Sequence, residues 1–209
     1  MRKCSIIVAA LALATVTPAQ AGLFGLPKFK VEQSDDRFST DGLTTYSGLY
    51  NRISKKSLAG GTHIDDKGVF VEPIAIKSKA DGKLVKLSFF IHNEADMSTN
   101  YGSPLTLGTP LKISFLTGEG SPIALPINRG ETAYGDVPTY NSITRSASSS
   151  VRESGFADVT PEQYLRIINA TALAVKIEGD KRSMIYEVKD VSKTFIPNLK
   201  SFYDQYVAR

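Results

Sequence analysis

Through the middle of the chain, apolar residues alternate with polar ones, and this period of two commits the segment to β-structure. The strongest run is Val85, Leu87, Phe89 and Ile91, with Lys86, Ser88, Phe90 and His92 on the opposite parity. Successive side chains of a strand point to opposite faces, so the first set is expected in the core and the second toward solvent. Just before it, Ala80-Asp81-Gly82-Lys83 reads as a hairpin turn, because Asp-Gly accepts the left-handed backbone such turns require. Val69 to Lys77 is then the preceding strand. Pro73 within it predicts an edge position or a bend, since proline cannot donate to a ladder.

The same pattern predicts further strands on both sides. Phe29 and Val31 suit a short one, and Thr44 to Ile53 suits one with a bulge near Gly48. Leu111 to Leu116 and Ile123 to Ile127 follow, with Gly118-Glu119-Gly120 turning the chain between them. Leu173-Val175-Ile177 and Met184-Tyr186-Val188 make a last antiparallel pair around Gly179-Asp180-Lys181. Asn93 to Pro110 reads as a long polar loop. Residues 139–159, with Ser/Ala-rich Ser146 to Ser150, fit either a mobile loop or a long solvent-facing strand.

Two segments carry the period of a helix instead. Thr160-Pro161-Glu162-Gln163 has a capping threonine, proline at the first helical position and glutamine three after the cap. It opens a short helix near 160–170. Phe195, Leu199, Phe202 and Tyr206 form one apolar stripe, with Thr194 as the expected cap, and predict a C-terminal helix near 194–207. No regular helical crossovers separate the strands. The expected fold is therefore α+β: a mostly antiparallel twisted sheet or sandwich of about seven to nine strands, with those two helices on it.

Residues 1–21 read as a cleavable signal peptide: a basic start (Arg2, Lys3), an apolar run to Val16, and Ala19-Gln20-Ala21 before Gly22. The run is shorter than the ~20 residues that span a membrane. Residues 22–209 are then expected to form a single secreted α+β domain, bacterial in style and periplasmic, with an extracellular site as the alternative. Cys4 is the one cysteine, so the exported part has no thiol for disulfides, thiolate metal sites or thiol catalysis. The formal charge of +4 includes Arg2 and Lys3, which leaves about +2 after the leader, too little for a nucleic-acid footprint.

The catalytic inventory is thin. Beyond the leader there is no G-x-S-x-G elbow, S-x-x-K, H-E-x-x-H or phosphate-binding glycine loop. His63 and His92 are the candidate acid/base groups. His63, Asp65 and Asp66 form the pattern nearest a divalent-metal site, although the same pattern is also what a solvated turn looks like. No cofactor is implied. Arg52-x-x-Lys55-Lys56, Lys77-x-Lys79 and Lys181-Arg182 read as solvated basic faces. Tyr46, Tyr50, Phe90, Tyr101, Tyr134 and Tyr140 are candidate contact aromatics, since tyrosine-bearing loops make adaptable interfaces.

These features lean away from an enzyme. They favour a non-catalytic envelope module that binds an envelope protein or cell-wall component. A periplasmic hydrolase using His63 or His92 is the first alternative. An inhibitor or protective partner of a secreted enzyme is the second.

Overall fold

The computed structural model describes residues 27–35, 42–56, 67–98, 106–118, 120–135, 139–143 and 146–208, with the backbone alone at 95–98, 139–141 and 146–149. The fold is α+β, with antiparallel strands in two sheets and two helices. The larger sheet runs β1 (Lys30–Ser34), β2 (Leu43–Leu49), β4 (Gly68–Ser78), β5 (Leu84–Ser98), β10 (Ser146–Asp158), β8 (Asn128–Tyr134). Short β3 (Arg52–Ser54) also pairs with β4, and β9 (Thr139–Asn141) with β10. The smaller sheet runs β12 (Ser183–Tyr186), β11 (Ala174–Gly179), β6 (Pro110–Leu116), β7 (Ile123–Pro126). This is more than the seven to nine strands expected, because β3, β8 and β9 have no clean alternation to announce them.

The Asp-Gly hairpin forms as predicted. Ser78 N–H donates to Lys83 O, and Gly82 adopts φ +69°. Leu87, Phe89 and Ile91 are buried, but Val85 at the strand's start is exposed. The polar parity is not the solvent face it was expected to be: Ser88 and His92 are buried too. Phe70 of β4 and Phe90 of β5 itself stack on the His92 ring.

Pro73 does not mark an edge, since β4 lies between β2 and β5. On one side of β4 the partner changes. β2 pairs as far as Ile74, and β3 takes over at Val69 and Phe70. Val71 N–H reaches across to Asn51 O. Two residues on, Pro73 would aim its N–H at the same side, where the partner strand is interrupted, so no ladder bond is lost.

One more expectation changes, and one pair of alternatives is resolved. Residues 93–98, assigned to a polar loop, continue β5, which pairs with β10 along both strands from Ser88↔Asp158 to Ser98↔Ser148. Most of 139–159 is therefore strand, the second of the two expected readings; it lies between β5 and β8, with Ser150, Arg152 and Asp158 exposed on one face. Its core-side positions Val151, Glu153 and Ala157 share one parity. That alternation is hidden in sequence because one of the three is a glutamate.

Helix α1 (Pro161–Ile168) carries the predicted capping box: Gln163 N–H donates to Thr160 Oγ1, and Thr160 N–H to Gln163 Oε1. Helix α2 (Phe195–Tyr206) buries Phe195, Leu199 and Phe202. Its expected cap fails, because Thr194 is already in helical geometry and makes no side-chain cap bond. The Ser192 hydroxyl lies 3.0 Å from that of Thr194 instead, and Ser192 O accepts from Phe195 N–H. The core lies where the two sheets and both helices meet. Phe89 of β5 packs on Phe115 of β6 at 5.7 Å between ring centroids and on Tyr164 of α1 at 5.3 Å. The Tyr164 hydroxyl donates to Leu199 O in α2.

Candidate functional site

The face of the larger sheet turned away from this core carries an ordered row of side chains. Register places Arg52, Phe70, His92, Ser154 and Glu131 side by side across β3, β4, β5, β10 and β8. Directly opposed residues on one face are within contact distance, and three of the four neighbouring pairs here make a specific contact. The Arg52 guanidinium lies 5.1 Å from the Phe70 ring centroid, a cation–π distance. Phe70 stacks on His92 at 4.8 Å and 8°. Ser154 Oγ donates to Glu131.

His92 sits between carboxylates. Its Nε2 is 3.5 Å from Glu72 Oε1 and its Nδ1 is 3.5 Å from Glu94 Oε1. Glu72 is itself fixed by the Tyr50 N–H at 2.7 Å. Arg152 lies 3.5 Å from Glu94. Burial opposes the charged imidazolium. Pairing with Glu72 and Glu94 outweighs burial and holds the His92 pKa above its ordinary 6.5. Contact with His92, with lesser help from Arg152 and Lys67, holds Glu94 below its ordinary 4.5.

The sign of the pH effect follows. A raised histidine pKa adds stability that is complete below the unfolded value and is lost as pH rises through the folded one. The lowered Glu94 adds stability above 4.5 that is lost as pH falls. The groups facing His92 are Glu72 from β4 and Glu94 from β5, with Arg152 from β10 and Lys67 acting on Glu94 and Arg52 beyond Phe70. Urea denaturation of a His92→Gln variant is therefore expected to show its largest deficit against the parent between about pH 5 and 6.5 and a smaller one at pH 8. A deficit that grows toward pH 8 would contradict the pairing. The ring titration is readable by NMR because His63 is the only other histidine.

At the Arg52 end of the row the surface opens into a cleft of about 480 Å³. Phe29, Tyr50 and Phe70 supply rings, Lys28, Arg52 and Lys55 supply cations, and among the described residues no carboxylate lines it. The opposite wall is Ser192, Thr194 and Asn198, at the start of α2. Tyr50 is placed here by an unusual backbone: it joins β2 to β3 with φ +65°, a conformation rare for a bulky residue. This break replaces the bulge expected at Gly48. Gly48 is tight for a different reason, since a Cβ there would stand 2.8 Å from Pro73 Cγ and 2.9 Å from the Phe29 ring.

The structure disperses the remaining candidates. Of the candidate aromatics whose side chains are described, Tyr50 alone lines the cleft. Tyr46 is not an exposed contact residue: it packs on Tyr206 of α2 at 4.9 Å, against the core. Phe90 is half-buried between His92 and Phe156. Tyr134 is exposed at the end of β8. Tyr140 lies on β9, where the backbone alone is described. His63, Asp65, Asp66 and Tyr101 lie outside the described residues.

Sequence reasoning missed Glu72, Phe29 and Phe70, and took Arg52 and Lys55 for an ordinary basic face. The available signal was the closeness of Tyr50 to Arg52-x-x-Lys55-Lys56. No family model matches the chain, and no curated protein or solved structure is significantly similar to it. No helix among the described residues is long and apolar enough to cross a membrane.

Proposed function

We propose that this chain is an exported, non-catalytic binding module of a bacterial cell envelope, which holds an envelope component in the cleft beside Tyr50. The observation that carries this reading is the cleft itself, a concave site with rings and cations converging on it. The surroundings of His92 support the non-catalytic part. Both ring nitrogens face carboxylates, and the cross-strand serine, Ser154, gives its hydroxyl to Glu131. Such a histidine stores charge within the sheet and does not activate a nucleophile.

The test is recovery of the tagged protein from envelope extract of its own source, followed by a high-salt wash that removes charge-driven contacts. One stoichiometric species is expected to survive the wash and to be lost from a Tyr50→Asn variant. Asparagine suits this substitution because it tolerates the left-handed backbone at this position. Retention that is indifferent to Tyr50 would remove the cleft from the reading. Intact mass of the exported protein is expected to place its first residue at Gly22, and a full-length chain would argue against export by cleavage.

A further inference from the structure

We propose that the cleft beside Tyr50 selects a ligand carrying a carboxylate or phosphate group next to a planar or apolar body. This inference rests on the binding-module reading and names the chemistry of that same site. Among the described residues, no acid stands on the cleft walls beside its cations. Two of them, Lys28 and Lys55, are exposed and make no ion pair with any described residue. The neighbouring Lys56, in contrast, is already committed to Asp190 at 3.0 Å. Lys55 and Ser192 also line an adjoining hollow of about 490 Å³, where the Lys56–Asp190 pair offsets itself and Lys193 adds a further cation. The positive field therefore extends along the rim and is not confined to one side chain. A concave, low-dielectric wall strengthens such a field toward an incoming anion.

The rings define the other half of the ligand. Phe29, Tyr50 and Phe70 stand on the same walls as the lysines. Phe70 is held face to face on His92, and Glu72 accepts from the Tyr50 N–H. Phe70, buried with Arg52 over its ring, backs the wall, and the fixed Tyr50 backbone presents its ring beside Phe29 to an incoming ligand, which lowers the ordering cost of contact. A simple oxyanion would use the cations alone and a neutral hydrocarbon the rings alone. Only an amphiphilic anion uses both.

The probes are 2-naphthoate, 2-naphthyl phosphate, neutral 2-naphthalenemethanol and inorganic phosphate, titrated into the isotopically labelled protein. The naphthyl anions are expected to shift the amide signals of Lys28, Tyr50, Lys55 and Asn198. They should bind about tenfold tighter than the neutral alcohol and weaken as salt is raised. The better of the two anions identifies the oxyanion. A Lys28→Gln/Lys55→Gln double variant should lose about three- to tenfold in naphthoate affinity and leave the alcohol unchanged. These lysines are exposed, so the variant keeps its fold. Equal binding of anion and alcohol, shifts centred on another face, or indifference to the double variant would each overturn the inference. The two readings fail separately: a partner recovered through another face would leave the module reading standing while this one falls.

Discussion

Replacing Glu153 with alanine is expected to cost about 3–5 kcal/mol of folding stability, the scale of leaving several buried donors unsatisfied. Glu153 is 0 % exposed and sits on the core-facing parity of β10. Both carboxylate oxygens accept hydrogen bonds. Asn93 Nδ2 at 2.8 Å and Leu107 N–H at 3.0 Å reach one, and Gly108 N–H at 2.6 Å reaches the other. The bonds tie the larger sheet to the entry of β6 in the smaller one. That entry is crowded: Lys181 and Arg182 donate to Leu107 O, and Gly108 adopts φ +76° where a Cβ would strike Asp180. Alanine would leave three buried donors with nothing to accept them, each costing about 1–3 kcal/mol if unsatisfied.

A Glu153→Gln variant separates hydrogen bonding from volume. Its amide keeps one acceptor but turns an NH₂ toward donors, so a smaller loss of about 1–3 kcal/mol is expected. Urea denaturation of the parent and both variants reads the order directly. A loss below about 1 kcal/mol for alanine would mean that the carboxylate does not hold the two sheets together.

The fold class was legible because its signals are local. The period-two runs, the Asp-Gly turn and the Thr160–Gln163 box each act within a few residues, and each appears where the sequence places it. What was hidden depends on partners distant in sequence. Pro73 looks like an edge marker until β2 is seen to yield to β3 opposite it. Glu153 looks like a solvent residue until Asn93, Leu107 and Gly108 surround it. His92 was put on the solvent face because its parity is polar, yet Phe70 stacks on it from within its row and Phe90 from two residues earlier on β5. The cleft was hidden for the same reason. Its cations come from residues 28, 52 and 55 and its far wall from residues 192–198, and no single window of sequence contains both.

Truncating Phe89 to alanine is the second large effect, about 3–5 kcal/mol, the range for deleting a buried phenyl ring. Where in that range it falls depends on whether neighbours can collapse into the space. In register, Phe89 lies between Pro73 on β4 and Ala157 on β10. One flanking residue is locked in a ring and the other carries a single methyl, so neither can swing into the gap. The contacts above it are Phe115 and Tyr164. Tyr164 is pinned by its hydroxyl bond to Leu199 O, so it cannot drop without breaking that bond. The cavity should therefore stay open, and the cost should fall toward the upper end of the range. For a domain of this size each kcal/mol shifts the melting midpoint by about 2–4 °C, so a fall of roughly 10 °C or more is expected by calorimetry. A companion Phe89→Leu variant, which refills most of the volume, should recover more than half of the loss. If leucine and alanine cost the same, cavity formation is not the cause, and the ring contacts with Phe115 and Tyr164 would carry the stability instead.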